Sequence, residues 1–139
     1  MVTVTGILSK DVPIIWGSIK GYITAGLGPN NTLAQILALI VSREAQCWIA
    51  YDDERIIATA ITELPILEGR KVCNIITLGG TRLEEWRNGL SYIEAWATAN
   101  GATAMRFEDC RKGFARVFRD YTAKPGTAGR IILEKTFHD

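Results

Sequence analysis

The sequence predicts one α/β domain in which a mixed sheet carries helices on both faces, and three observations point there. Stretches with apolar residues at three- and four-residue steps alternate with β-branched runs along the chain. The helical stretches begin at capping side chains and stop at glycines. No linker, internal repeat or low-complexity tract interrupts the 139 residues, so residues 1–139 are read as a single domain, and 47% hydrophobic residues is enough to fill its core without staples or metals.

Residues 2–8 have the Val, Thr and Ile character of a strand. Capping side chains at 9–11 and Pro13 then open a helix in which Val12, Ile15, Ile19 and Ile23 form one stripe, until Gly26-Leu27-Gly28-Pro29 stops it. Thr32 and Gln35 make a capping box for a second helix, with Leu33, Ile36, Leu37, Ile40 and Val41 on one face. Residues 46–51 and 55–64 read as a hairpin around Asp52-Asp53-Glu54, ended by Pro65. A turn at Glu68-Gly69-Arg70 leads to a strand over 72–78 that Gly79-Gly80 ends, so three strands form an antiparallel meander. Thr81 and Glu84 repeat the capping-box spacing before a long helix through Leu83, Trp86, Leu90, Ile93 and Ala97, closed by Asn100-Gly101. A strand at 104–107, a short helix at 113–121 and, after the Pro125-Gly126 turn, a strand at 130–137 complete the order β-α-α-β-β-β-α-β-α-β. The long helix should connect the fourth strand to a parallel fifth by a right-handed crossover.

Bulk chemistry excludes several classes. Sixteen basic against fifteen acidic residues leave a formal net charge of +1, so no global field favours nucleic acid or a membrane surface. Arg106, Arg111, Lys112, Arg116 and Arg119 interleave with Glu108, Asp109 and Asp120, the pattern of a mixed ion-pair surface. Cys47, Cys73 and Cys110 are odd in number and set in apolar runs, which suits reduced core thiols rather than disulfides or a metal site. The expected setting is cytoplasmic, because the chain shows neither a signal-peptide pattern nor an apolar run long enough to span a membrane. His138 stands near the C-terminus, a poor base for a catalytic pair. The acids at 52–54 lack the spacing of a calcium loop and read as a solvated turn.

The order of elements resembles the fold of the GNAT N-acetyltransferase superfamily over nearly the whole chain. The run Gly89-Leu90-Ser91-Tyr92-Ile93-Glu94-Ala95-Trp96-Ala97 followed by Asn100-Gly101-Ala102 is similar to that family's long helix and the turn after it. Residues 113–121 are similar to its later helix. More narrowly, the tryptophan-rich helix and the Arg119-Asp120-Tyr121 helix end resemble short GNAT-like proteins of tailed bacteriophages, which implies the host cytoplasm or a virion as the setting.

The resemblance implies acetyl-CoA, whose pyrophosphate would be held by backbone N–H groups before the long helix. The matching residues are Gly79, Gly80, Thr81 and Arg82, but the family's glycine-containing motif is not met: an adjacent glycine pair and a following arginine stand in its place. A tyrosine acid of the family aligns with Phe118, with Tyr121 one turn further on, and Glu63 at the end of the third strand is the candidate base. Trp86 and Trp96, ten residues apart on one helix, do not share one narrow stripe, so one of them is expected at a boundary, as an interface anchor or as a tryptophan at the margin of the core.

Two expectations follow. The first is a non-catalytic, phage-type scaffold without a cofactor, held by contacts with other proteins such as virion components. The alternative is an acetyl-CoA-dependent N-acetyltransferase with a divergent cofactor loop, using Gly79, Gly80, Thr81 and Arg82 for the cofactor and Glu63 or Tyr121 for protons. A regulatory module binding a ligand between the fourth and fifth strands is a third reading.

Overall fold

The structure, a computed structural model, describes residues 2–137, the side chain of Glu85 excepted. Strand β1 (Thr3–Ile7) leads through a single 3-10 turn into α1 (Val12–Gly26) and α2 (Leu33–Val41). Strands β2 (Gln46–Tyr51), β3 (Ile56–Glu63), β4 (Ile66–Leu67) and β5 (Arg70–Gly80) follow, then α3 (Trp86–Ala99), β6 (Ala104–Cys110), α4 (Phe114–Val117), β7 (Thr122–Pro125) and β8 (Ile131–Thr136). The eight-stranded mixed sheet runs β1-β2-β3-β5-β6-β8-β7, with β4 paired to β5 beside this path. Among the described residues its one parallel pair, β5 with β6, is joined through α3 as the sequence predicts.

Period-two alternation divides the core between the two faces. Cys47, Ile49, Ile61 and Ile76 pack under Ile19 and Ile23 of α1 and Ile36 and Ile40 of α2. Trp48, Ala50, Cys73, Ile75 and Phe107 face the other way, against Trp86, Leu90, Ile93 and Ala97 of α3 and against Phe118. The predicted capping box of α2 forms: the Gln35 N–H donates to Thr32 Oγ1 at 3.2 Å and the Thr32 N–H to Gln35 Oε1 at 2.8 Å.

Several boundaries depart from the sequence reading. The Thr81/Glu84 capping box does not form; Arg82 stands in the left-handed region (φ 57°), a 3-10 turn over Leu83–Glu85 follows, and α3 starts only at Trp86. The Thr81 N–H and hydroxyl both donate instead to the Ile57 carbonyl, at 2.9 and 3.4 Å. Gly79 and Gly80 do not end the fourth predicted strand but continue it, opposite Thr59 and Ala58 of β3. The short helix stops at Val117, which leaves Tyr121 outside it. Strands β4 and β7 were not anticipated: Pro65 and Pro125 read as breakers, yet Ile66 and Leu67 pair with β5, and Pro125 occupies an edge strand, where a missing N–H costs no ladder bond.

Candidate active site

The parallel pair holds for four residues, from Val72 opposite Ala104 to Ile75 opposite Phe107, and then opens. Beyond that point β5 stays with β3, Thr77 to Gly80 lying opposite Ile61 to Ala58, while β6 follows β8, with Cys110 opposite Ile131. Two irregularities drive the strands apart. Ile76 is an extra residue in β5, since Ile61 faces Thr77 and Thr62 faces Ile75, and such a bulge bends its strand. In β6 the register shifts between Phe107 and Cys110, where Asp109 adopts a left-handed φ of 37°.

The resulting cleft is narrow, about 70 Å³, and is walled by Ile75, Leu78, Leu83, Phe107 and Phe114, with Gly79 and Gly80 along one edge and Glu108 in its lining. The last turn of α1 closes one side through Ala25 and Gly26. Arg111 stands at the same place, donating from Nη2 to the Ala25 carbonyl at 3.3 Å, a favourable position for a cation at a helix C-terminus. The Cys110 thiol also lines the cleft; burial pushes its pKa up to about 11, so it stays protonated near neutral pH.

A polar network gathers at Glu108. Asn31, in the loop between α1 and α2, donates from Nδ2 to Glu108 Oε2 at 2.8 Å. Asn74, a buried β5 residue, donates from Nδ2 to Glu63 Oε2 at 2.8 Å and to Glu108 Oε1 at 3.5 Å, and its Oδ1 accepts from Arg106 Nη1 at 3.0 Å. Two carboxylates from β3 and β6 are thus oriented by one buried amide beside the cleft. The next residue, Asp109, clasps the surroundings: it accepts from the Thr127 N–H (2.9 Å) and hydroxyl (2.7 Å) and from Asn30 Nδ2 (3.2 Å). The Thr127 hydroxyl, its N–H and the nearby Arg106 and Arg130 hold this carboxyl below the usual carboxylate range, against the opposing effect of burial.

The residues singled out in the sequence fare unequally. Glu63 is placed in the network just described. Gly79 and Gly80 edge the cleft, but what their missing side chains make room for is protein: a Cβ at 79 would strike the Tyr22 carbonyl of α1, and one at 80 would strike the Ile57 carbonyl and Ala58 of β3. Thr81 is held by Ile57, and Arg82, half-exposed, pairs with Asp52 at 3.1 Å. Asp52 in turn accepts from the N–H groups of Glu54 and Arg55, both at 2.9 Å, so the acidic hairpin tip is a hydrogen-bonded turn.

Tyr121 is displaced from the chemistry altogether. It is buried on the α3 face of the sheet, packed edge-to-face against Phe107 and Phe118, and its hydroxyl donates to Glu94 Oε2 at 2.8 Å. Burial, reinforced by the Glu94 charge, pushes the phenol well above its ordinary range, which corrects its assignment as an acid for the cleft. Of the two tryptophans, Trp86 belongs to the core and Trp96, partly buried, to its margin. Trp86 is fully buried and cannot anchor a partner, and Trp96 packs edge-on against Trp48 with ring centroids 5.3 Å apart. His138 lies outside the described residues. Glu108, Asn74 and Asn31 were missed as site residues; the signal for Glu108 is its place just past the carboxyl end of the predicted fifth strand at 104–107, where open sheets collect ligands.

No family model matches the sequence, and no curated protein matches it. Solved structures do. The PaiA N-acetyltransferase of Thermoplasma acidophilum, in complex with coenzyme A, aligns with a TM-score of 0.67 at 14% identity over 99% of both chains. A probable acetyltransferase of Staphylococcus epidermidis gives 0.69 at 12% identity over 99% of this chain and 100% of that one. The N-acetylglutamate synthase of Neisseria gonorrhoeae, complexed with coenzyme A and N-acetyl-glutamate, gives 0.65 at 15% identity; it covers 100% of this chain and 36% of the synthase. The chain therefore has the GNAT fold. These neighbours also correct the expectation of a non-catalytic, cofactor-free assembly component: they are acetyltransferases, some bound to coenzyme A, and none of them supports a phage or virion role. Among the described residues no helix is long and apolar enough to cross a membrane.

Proposed function

We infer that the chain, acting as a single domain, is an N-acyltransferase that moves the acyl group of acetyl-CoA to an amine. The observation that carries this reading is the opening of the one parallel strand pair into a cleft with two oriented carboxylates beside it. The residues present fit a thioester donor. Ile75, Leu78, Leu83, Phe107 and Phe114 offer an apolar slot for a slender chain, and Arg111 supplies a cation in its lining. Bound there, acetyl-CoA would supply an acyl group already activated as a thioester.

The protein's own task is proton handling and orientation. An alkylamine is largely protonated at neutral pH, with a pKa near 10.4 for a lysine-like amine, and must lose a proton before it can attack. Glu108 lines the cleft, so its carboxylate can take that proton, while Asn31 and Asn74 fix its orientation and Asn74 ties it to Glu63. Among the described residues lining the cleft there is no phenol; Phe107 and Phe114 are its aromatic walls. The chain therefore offers base catalysis and positioning, without a tyrosine acid.

The test has two readouts. Acetyl-CoA at about one hundred times its dissociation constant should stabilise the protein by about 2.7 kcal/mol, a rise of several degrees in Tm. Glu108→Gln should keep that shift, since the amide still accepts from Asn31, yet lower kcat/KM for thiol release with an amine acceptor by roughly 10²- to 10⁴-fold, the usual contribution of a positioned base. Absence of any acetyl-CoA shift sinks the reading.

A further inference from the structure

Glu108 and Asp109 are the two residues of β6 between Phe107, opposite Leu133, and Cys110, opposite Ile131. Three steps along β6 thus answer two along β8, and the extra residue makes a bulge of the kind that re-aims a side chain beside a site. Asp109 takes the left-handed φ of 37° at this bulge. Aspartate enters that region more readily than most residues, with local hydrogen bonds to its short side chain holding it there.

Asp109 is buried and does not line the cleft; its carboxylate binds two loops instead. From the turn between β7 and β8 it accepts the Thr127 N–H and hydroxyl, and from the loop between α1 and α2 it accepts Asn30 Nδ2. Its carbonyl accepts from Arg130 Nη1 at 3.1 Å. Each loop meets Asp109 through a glycine: a Cβ at Gly126 would strike Asp109 Oδ1, and one at Gly28 would stand 3.3 Å from the Asp109 carbonyl oxygen. The β7–β8 turn is closed on itself, with the Gly126 N–H donating to the Arg130 carbonyl and the Arg130 N–H to that of Thr127, both at 2.9 Å.

Two routes lead from this clasp to Glu108. One is the peptide bond between the two acids. The other runs through the α1–α2 loop, where adjacent asparagines meet adjacent acids in step: Asn30 donates to Asp109, and Asn31 to Glu108 Oε2 at 2.8 Å. Holding Asn30 therefore holds Asn31 against Glu108.

We propose that Asp109 is a positioning residue: by tying the β7–β8 turn and the α1–α2 loop to the bulge of β6, it sets the direction in which Glu108 presents its carboxylate to the cleft. The proposal rests on the transferase reading for what Glu108 does, while the direction of Glu108 is a matter of structure alone. Displacing a reacting group by about 1 Å can cost on the order of 10²-fold in rate, so a loosened Glu108 is felt in kcat.

The experiment is a double-mutant cycle of Asp109→Gly with Glu108→Gln in the thiol-release assay. Glycine adopts the left-handed backbone freely, so the change removes the side-chain bonds without adding strain. Alone, Asp109→Gly should lower kcat at least about tenfold and leave KM for acetyl-CoA within about twofold. In the Glu108→Gln protein it should lower kcat by less than about twofold, because residues that act as a unit are not additive. Asp109→Asn tolerates the same backbone and keeps an acceptor for Thr127, so it should recover most of the loss. Should glycine prevent folding, Thr127→Val removes the exposed hydroxyl alone and should give a loss of about threefold that vanishes beside Glu108→Gln. The Asn31 side-chain amide, followed by NMR, reports on Glu108 without turnover: Asp109→Gly should move its signals in the direction that Glu108→Ala does. Equal losses in both backgrounds, or Asn31 signals that stay at their parent positions, would overturn the proposal while leaving the transferase reading intact. Shifted Asn31 signals in a protein that acetyl-CoA does not stabilise would support the hold of Asp109 on Glu108 and defeat the transferase reading.

Discussion

Replacing Gly79 with alanine tests whether the glycine pair serves packing, and the structure sets the magnitude. A Cβ there would land on the Tyr22 carbonyl oxygen and sit 3.0 Å from its carbon and 3.1 Å from the Gly26 nitrogen. All three atoms are backbone, so no side chain can swing aside. Comfortable carbon contacts lie near ~3.5–4.0 Å, and restoring them requires the last turn of α1 to retreat by an ångström or so, drawing Ile19 and Ile23 from the core. Overpacking of this kind costs about 1–3 kcal/mol, and the rigid neighbours place Gly79→Ala at the upper end. With about 2.1 cal/mol/K of unfolding entropy per residue over 139 residues, 3 kcal/mol corresponds to a fall of roughly 10 °C in Tm. Gly17, exposed inside the same helix with nothing within 4 Å of its missing Cβ, supplies the opposite sign: Gly17→Ala should raise stability by about 0.5–1 kcal/mol. Thermal and urea unfolding of both variants decide the matter. A Gly79→Ala midpoint within about 2 °C of the parent protein would refute the packing argument.

Tyr121→Phe should cost stability without touching catalysis. It removes a hydroxyl that donates to Glu94, a bond to a charged group worth about 1.5–3 kcal/mol, and the loss should fall at the low end because Lys135 still pairs with Glu94 at 3.3 Å. A urea midpoint that drops while thiol release per folded molecule holds steady is the expected result; a hundredfold slower reaction at unchanged stability would return the phenol to the mechanism. Acid should unfold the protein partly through Asp109. Its folded pKa is depressed, chiefly by the Thr127 hydroxyl, so the unfolded chain binds the proton more readily and stability rises with pH in that range. This contribution is complete above the ordinary carboxylate range and disappears as pH falls through the lower, folded value, and Asp120, held down by Lys135, acts in the same direction. In acid titrations followed by circular dichroism, Asp109→Asn should be less stable at neutral pH with a shallower loss on acidification; a slope equal to that of the parent protein would contradict the assignment.

Two identical spacings show where local sequence stops being sufficient. Thr32 with Gln35 and Thr81 with Glu84 carry the same capping-box signature, yet only the first forms. Thr32 enters its helix from a loop that leaves its side chain available, whereas Thr81 is already bound through both N–H and hydroxyl to Ile57 of a neighbouring strand. A similar limit hid β7, whose four residues are all exposed and derive their extended form from pairing with β8 rather than from any alternation of their own. It also displaced Tyr121, because the chain leaves α4 at Val117 and the next residues turn back toward α3.

By itself the sequence determined the succession of helices and strands apart from β4 and β7, most of their apolar faces, though Val41 of the expected α2 stripe is exposed, and the parallel crossover through α3, because periods of 3.6 and 2 residues are properties of short stretches of chain. Tertiary structure alone decided the cleft and the group around it. Asn31, Glu63, Asn74 and Glu108 come from four different elements and meet only through strand register, and that register is broken at Ile76 and Asp109, whose effect on strand direction no local pattern encodes.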